Sequence, residues 1–339
     1  MKKVNIAVVG ATGAVGEVML EVLQQRDFPV DELYPLASRR SAGGVVRFRG
    51  QDCEIGLLDD FDFARTSIAL FSAGASVSDV YAPRAADAGN VVIDNTSRFR
   101  NEADIPLVVP EVNAHAAADY APRRIIANPN CSTIQMVVVL KPLHDLFDIS
   151  RVNVATYQAV SGGGRRAQDE MLAQTRMQLD GEVVQTEVYP KQIAFNALPQ
   201  IDCFMDNGYT REEMKMVWET QKILGDEQIK VNPTTVRIPV VNGHSEAIHI
   251  EFKQQVDEVA AREALEKAPG IKVLDERVAG GYPTAVTEAD HQDAVWVGRI
   301  RKDISHPNGL NVWVVADNLR KGAATNSVQI AELMLREYL

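Results

Sequence analysis

Val4-Asn5-Ile6-Ala7-Val8-Val9, followed at once by Gly10-Ala11-Thr12-Gly13-Ala14-Val15-Gly16, decides how the chain begins to fold. A short apolar run that stops at a glycine reads as a buried strand. After the glycines the period changes: Val15, Val18, Met19, Val22 and Leu23 share one face of a helix. A second apolar run at 33–37 completes a βαβ unit. Further runs at 67–71, 91–93, 107–109 and 125–127 each end in small or polar residues, such as Ser72-Ala73-Gly74 and Asn128-Pro129-Asn130. This pattern predicts an α/β fold with a doubly wound, mostly parallel sheet of the Rossmann type. In such sheets ligands lie outside the carboxyl ends of the strands.

From about residue 131 the strands alternate instead, as in Val152, Val154, Thr156 and again over 247–252. Helical patterns intervene at 166–179, 211–224 and 256–267, and Asn242-Gly243 reads as a hairpin between two strands. The expected organisation is a nucleotide-binding domain over 1–130, completed by a C-terminal helix within 319–339. An α+β substrate and dimerisation domain occupies 131–318.

A chain of 339 residues suits two domains. Its 46% apolar and 24% charged content is that of a chain with a packed core, not a disordered one. Lys and Arg total 35 against 46 Asp and Glu, a net charge of −11, which argues against a nucleic-acid or anionic-membrane partner. An anionic small substrate would need cations gathered locally. Met1-Lys2-Lys3 resembles a signal-peptide head, but the apolar run behind it is too short, so export is not expected. Three cysteines make no disulfide framework and no zinc spacing, so the reading is a cytoplasmic protein with no metal.

The turn Gly10-x-x-Gly13-x-x-Gly16 has Thr12 where a dinucleotide fingerprint has its second glycine, yet it meets the same need. Backbone amides at a helix N-terminus must approach a pyrophosphate, with Gly10, Thr12, Gly13, Ala14 and Val15 around it. The second strand ends in Ser38-Arg39-Arg40-Ser41, two cations and no carboxylate, which suits the 2′-phosphate of NADP over NAD. Ser72, Ala73 and Gly74 end another strand on the cofactor side. Cys131, between Asn128-Pro129-Asn130 and an apolar helix, would sit at a helix N-terminus, where the dipole favours thiolate. Cys53 and Cys203 have no such setting and read as buried, inert thiols. A thiolate beside a nicotinamide implies attack on a carbonyl with hydride transfer at the same carbon.

Three segments together resemble the aspartate-β-semialdehyde dehydrogenase family: the glycine turn, Asn128-Pro129-Asn130-Cys131-Ser132-Thr133, and Arg237-Ile238-Pro239-Val240 with Gly243-His244-Ser245-Glu246. The likeness runs over essentially the whole chain. It implies NADP-dependent reduction of β-aspartyl phosphate to aspartate semialdehyde and phosphate, reversible and passing through a cysteine thioester, in lysine, methionine and threonine synthesis. By the same resemblance Cys131 is the nucleophile, His244 the general acid/base and Gln158 the residue that orients substrate. Arg237 holds the substrate carboxylate, Arg98 and Lys215 hold phosphate, and Asn130 lines the substrate site. Glu212 faces the substrate ammonium, although its spacing equally suits a solvated helix face. Ser161, Gly162 and Asn318 approach the cofactor, and the family implies a homodimer. Two alternatives stay open from the residues alone: N-acetyl-γ-glutamyl-phosphate reductase, and a catalytically silent NADP-binding sensor.

Overall fold

The computed structural model describes residues 3–339, in two compact units. One runs to Asn130 and resumes at Ala323; the other spans Cys131–Gly322. The first unit contains β1 (Val4–Val9), α1 (Ala14–Gln25), β2 (Val30–Ala37), β3 (Val45–Phe48), β4 (Gln51–Glu54), β5 (Gly56–Leu57), β6 (Ile68–Phe71), α2 (Ala75–Asp87), β7 (Val91–Asp94), α3 (Pro110–Asn113) and β8 (Ile125–Ala127). Six strands form one sheet in the order β5-β2-β1-β6-β7-β8, and every pairing is parallel. β6, β7 and β8 are buried along their whole length, which is why they are apolar apart from Asp94 at the end of β7. The strand order reverses between β1 and β6, the switch point at which such sheets hold a ligand.

One local expectation fails here. Residues 107–109 form no strand; Leu107 makes one parallel bridge to Ala127. Pro106 and Pro110 bracket the run, and each removes an N–H that a ladder would use. The β3–β4 hairpin was not among the expected elements, although Val46-Arg47-Phe48-Arg49 and Asp52-Cys53-Glu54-Ile55 alternate; its turn is Arg49-Gly50 with φ of 51° and 77°.

The second unit begins with α4 (Cys131–Phe147) and β9 (Ile149–Gln158), then α5 (Arg165–Asp180), α6 (Arg211–Leu224), β10 (Lys230–Arg237), β11 (His244–Phe252), α7 (Glu258–Lys267), β12 (Ile271–Val273), β13 (Val295–Lys302) and β14 (Gly309–Ala316). Its sheet is mixed, in the order β10-β9-β11-β14-β13-β12. The Asn242-Gly243 hairpin does not exist. β9 lies between β10 and β11, parallel to the first and antiparallel to the second. Residues 238–243 are too many for a two-residue turn and are enough to cross one intervening strand, a step of roughly 10 Å. The amphipathic helix α8 (Thr325–Glu337) returns to the first unit, where Val328, Ala331 and Met334 join Ile6, Val8, Met19 and Leu23 in one core.

Candidate active site

Three neighbouring strands of the second unit deliver side chains to one end of the sheet. Gln158 ends β9, Arg237 ends β10 directly beside it, and His244 begins β11. Cys131 opens α4, a 17-residue helix that packs along β9, β11, β13 and β14. The Cys131 Sγ lies 3.2 Å from the Nε2 of His244. His244 is fully buried, and its Nδ1 accepts the Ala159 backbone N–H at 3.1 Å. Burial first, and the Arg237 guanidinium next, lower its pKa to about 3. Two glycines lie in close packing at this end. A Cβ on Gly322 would lie 2.8 Å from the Cβ of Cys131, and one on Gly162 would lie 2.9 Å from Nη1 of Arg237.

Gln158 is buried and donates through Nε2 to Ser132 Oγ at 2.7 Å and to Glu212 Oε1 at 3.2 Å. Glu212 is itself buried, 5% exposed, so it is no solvated helix position. Lys215 donates to Glu212 at 3.1 Å and to Asp202 at 2.9 Å. Burial pulls the Lys215 pKa down, but Glu212 and Asp202 outweigh it and hold the ammonium above its ordinary range. Burial pushes the Asp202 pKa up, but the Lys215 ammonium and the Cys203 backbone N–H together outweigh it and hold the carboxyl below its ordinary range. Arg237, 7% exposed, donates through Nη1 to the Ala159 carbonyl at 2.6 Å. Asn318 accepts the Gly243 N–H at 2.8 Å and donates to Ser161 Oγ at 2.9 Å, tying together residues that the resemblance places near the cofactor.

In the first unit the glycine turn closes with the Gly13 N–H donating to the Gly10 carbonyl at 3.0 Å. Gly10 has φ of 87°, and a Cβ there would come within 3.0 Å of the Ala73 backbone. At Gly16 a Cβ would lie 2.1 Å from the Gly10 oxygen, so only glycine lets α1 start this close to β1. The helices α1 and α2 follow the adjacent strands β1 and β6, and their N-caps are Gly13 and Gly74. Neither cap offers a side-chain hydrogen bond, which leaves two helix N-termini open to an anion. Thr12, Ala14, Val15, Ser72 and Ala73 are half-buried around them. Beyond β2, Ser38, Arg39 and Arg40 are exposed and Ser41 is half-buried; the Arg39 Nε lies 3.7 Å from Asp59. These residues fit a dinucleotide. Arg98 is also in this unit, paired with Asp79 and, at 2.8 Å, with Glu102.

Asn130 is buried at the end of the loop that leads into Cys131. Ser132, which accepts from Gln158, and Gly322, packed against Cys131, touch these side chains although the sequence reading did not single them out. Cys53 is half-buried on β4, and burial followed by the Asp52 charge pushes its thiol up. Cys203 is exposed, against expectation, because it lies in a polar loop directly after Asp202, whose φ is 68°. No helix among the described residues is long and apolar enough to cross a membrane.

Residues 5–120 match the family model described as semialdehyde dehydrogenase, NAD binding domain. Residues 140–321 match semialdehyde dehydrogenase, dimerisation domain. The chain is 60% identical to an aspartate-semialdehyde dehydrogenase of Shewanella violacea over 334 residues, 98% of each chain. It is also 60% identical to one from Legionella pneumophila, over all of this chain and 97% of the relative. A crystal structure of aspartate semialdehyde dehydrogenase II from Vibrio cholerae, complexed with ASA, superposes with a TM-score of 0.98 at 56% identity over both full chains. The parallel sheet with its glycine turn in one unit, and the mixed sheet and the Cys131–His244 pair in the other, are thus found in a chain that belongs to the aspartate-semialdehyde dehydrogenase family.

Proposed function

We propose that the chain carries out the reaction of its family, reversible NADP-dependent reduction of β-aspartyl phosphate to aspartate semialdehyde and phosphate, with Cys131 as nucleophile. The observation that carries this reading is the 3.2 Å contact between Cys131 at the start of α4 and the buried His244. A thiolate at a helix N-terminus is stabilised by the aligned peptide dipoles and by a nearby N–H donor. Its sulfur attacks the acyl carbon, phosphate leaves, and a thioester to Cys131 remains. Gln158, anchored by Ser132 and Glu212, points its amide at the substrate carbonyl region. Arg237 offers a planar guanidinium for the substrate carboxylate. Buried Glu212 supplies negative charge for the substrate ammonium.

In the first unit the open N-termini of α1 and α2 hold the pyrophosphate, and Arg39 with Arg40 supplies charge for a 2′-phosphate. The bound dinucleotide supplies a hydride to the acyl carbon. Phosphate meets cations already matched by acids: Arg98 by Asp79 and Glu102, Lys215 by Asp202 and Glu212. On this reading phosphate binding displaces a carboxylate partner. The protein acts as a homodimer through the open face of the second sheet, where Tyr157 and Trp313 lie 5.7 Å apart between ring centres. Three unbridged cysteines suit a reducing cytoplasm.

A spectrophotometric assay of semialdehyde oxidation with NADP and phosphate tests the reading. Turnover that requires phosphate and disappears in Cys131→Ala is expected. Turnover without phosphate, or an equal rate with N-acetyl-glutamate semialdehyde, overturns it.

A further inference from the structure

We propose that Glu246 and Gln135 form a second rung between β11 and α4, a neutral carboxylic acid paired with an amide, and that this rung positions Cys131 for attack. The inference deepens the function proposed above, since it rests on Cys131 being the nucleophile. Four residues of helix and two of strand advance by nearly the same length, about 6.0 Å and about 6.6 Å. Cys131 and Gln135 therefore share a face of α4, as His244 and Glu246 share a face of β11, and both elements begin at the site. In the first rung Sγ of Cys131 meets Nε2 of His244 at 3.2 Å. One step further along both elements the Gln135 amide approaches the Glu246 carboxyl.

This second rung lies in the core, with both side chains fully buried. Both oxygens of Glu246, and the side-chain nitrogen and oxygen of Gln135, are out of contact with solvent and complete no hydrogen bond. Beside Glu246 the neighbouring strands present Thr156 on β9 and Val314 on β14, neither of them charged. α4 carries no charged residue from Cys131 to Leu140. The titratable groups that share these two faces at this end are Cys131 and His244. α6, packed on α4 and β10, brings the buried acids Glu212, Glu213 and Glu219, yet no charge bears on the Glu246 carboxyl. Burial raises its pKa well above the carboxylate range, and only the Gln135 amide opposes that.

An ionised Glu246 would leave a buried charge uncompensated and the Gln135 oxygen without a donor. A carboxylic acid has one O–H to give and one carbonyl to accept with, the complements of the C=O and N–H of an amide. The two groups then satisfy each other with two hydrogen bonds, and no third group is needed. Gln135 lies one turn beyond Cys131 on the same face. The pair therefore sets how closely the head of α4 sits against β11, and with it the approach of Sγ to the substrate carbon.

Infrared spectroscopy and cysteine labelling of the full-length protein test the proposal. At pH 7 the difference spectrum between the native protein and Glu246→Gln is expected to contain the carbonyl band of one protonated carboxyl group. A carboxylate band in its place overturns the neutral acid. For the positioning role, Glu246→Leu fills similar space but strands the Gln135 amide. Its kcat is expected to fall roughly tenfold to a hundredfold, the scale of a misplacement of about 1 Å, with the KM for semialdehyde within a few-fold. Alkylation of Cys131, read by peptide mass spectrometry, should slow with it. Glu246→Gln keeps a donor and an acceptor without the acid and should restore most of both rates. A folded Glu246→Leu with native kcat and alkylation, or a Glu246→Gln as slow as Glu246→Leu, overturns the proposal. Should Glu246→Leu not fold, Gln135→Met removes the amide from the other side; the same losses are expected, and native rates there overturn the proposal equally. Failure of the nucleophile reading is separate: it would appear as turnover in Cys131→Ala and leaves the infrared band intact.

Discussion

The side-chain amide of Asn326 donates to Oδ1 of Asn128 at 2.7 Å and to the Val108 carbonyl at 3.0 Å, inside the core of the first unit. Asn128 in turn donates to Asn95 Oδ1 at 2.7 Å. A residue from the last helix therefore pins the loop whose continuation is Cys131. Asn326→Ala strands two buried acceptors, at about 1–3 kcal/mol each. The melting temperature should fall by several degrees, and kcat should fall with it. Unchanged melting by calorimetry would show that water replaces the amide.

The three thiols separate cleanly. Cys131→Ala should lose more than about 99.9% of turnover while NADPH binding stays within a few-fold, since the thiol forms the covalent bond and adds little to cofactor affinity. Cys203 is exposed and should react with a thiol reagent at no cost to activity, and Cys53→Ser should retain near-normal rates. Protection of Cys131 by substrate, read by mass spectrometry after brief labelling, checks both statements.

On the function proposed above, Arg39 and Arg40 select NADP over NAD. The Arg39 side chain is 82% exposed and only loosely paired with Asp59, so it is available to a phosphate. Replacing both arginines by Gln should raise the KM for NADPH by one to two decades, the loss of a charge-assisted contact of about 1.5–3 kcal/mol, and leave that for NADH nearly unchanged. Equal weakening of both cofactors would mean that the arginines shape the loop only.

Stability should depend on pH through a buried acid. Both carboxylate oxygens of Glu246 are buried without a hydrogen-bond partner, and the Gln135 amide approaches without completing one. Burial raises its pKa well above the carboxylate range. The folded state thus holds a proton that the unfolded chain releases near pH 4.3, so this contribution is full below that value and is lost as pH rises through the folded value. Glu246→Gln should flatten the loss, gaining over the native protein as pH goes from 5 to 9 in denaturant titrations. His244 has the opposite sign: its pKa is lowered, so stability falls as pH drops from about 6.5 towards 3. A variant that tracks the native protein at every pH would show that Glu246 ionises freely.

The acidic partners of Lys215 give a test of the anion sites. Asp202→Asn leaves the ammonium with one carboxylate fewer and should lower the KM for phosphate several-fold, whereas Lys215→Ala should raise it. Arg237→Lys keeps charge but loses the planar fork, and a misplacement of about 1 Å costs on the order of a hundredfold in kcat/KM for semialdehyde. Steady-state kinetics with the two substrates varied independently distinguish these effects. Should Arg237→Lys weaken phosphate selectively, the two assignments must be exchanged.

Strong local signals carried most of the architecture. The glycine turn, the βαβ period and the capped helix 211–224 are each written in a dozen neighbouring residues, and all three form. What failed depended on distant partners. Asn242-Gly243 has hairpin chemistry, but nothing near it tells that β9 will insert between β10 and β11. Residues 107–109 have strand composition, but a strand needs N–H donors that the flanking prolines remove. Cys131 and His244, singled out because their segments are specific, come within 3.2 Å of each other. Ser132 and Gly322 were not singled out, because what a serine or a glycine touches is set only by what folds against it. Glu212 was ambiguous for a related reason: helical spacing tells which residues share a face, not what covers that face.

The return of α8 to the first unit has a consequence for biosynthesis. The ribosome delivers β1, beginning at Val4, about 320 residues before α8, beginning at Thr325, yet Val328, Ala331 and Met334 share a core with Ile6 and Val8. Until α8 emerges, α1 covers only part of the apolar face of the N-terminal sheet, and the surface that Val328, Ala331 and Met334 fill is left bare. Domains that fold as units normally do so in order of synthesis. Here the N-terminal half waits for the C-terminus, and the complete second unit is available before the first can close. Loss of only the last 15 or so residues would therefore harm the beginning of the protein rather than its end, and a truncated chain would present that bare face to chaperones and to other copies of itself.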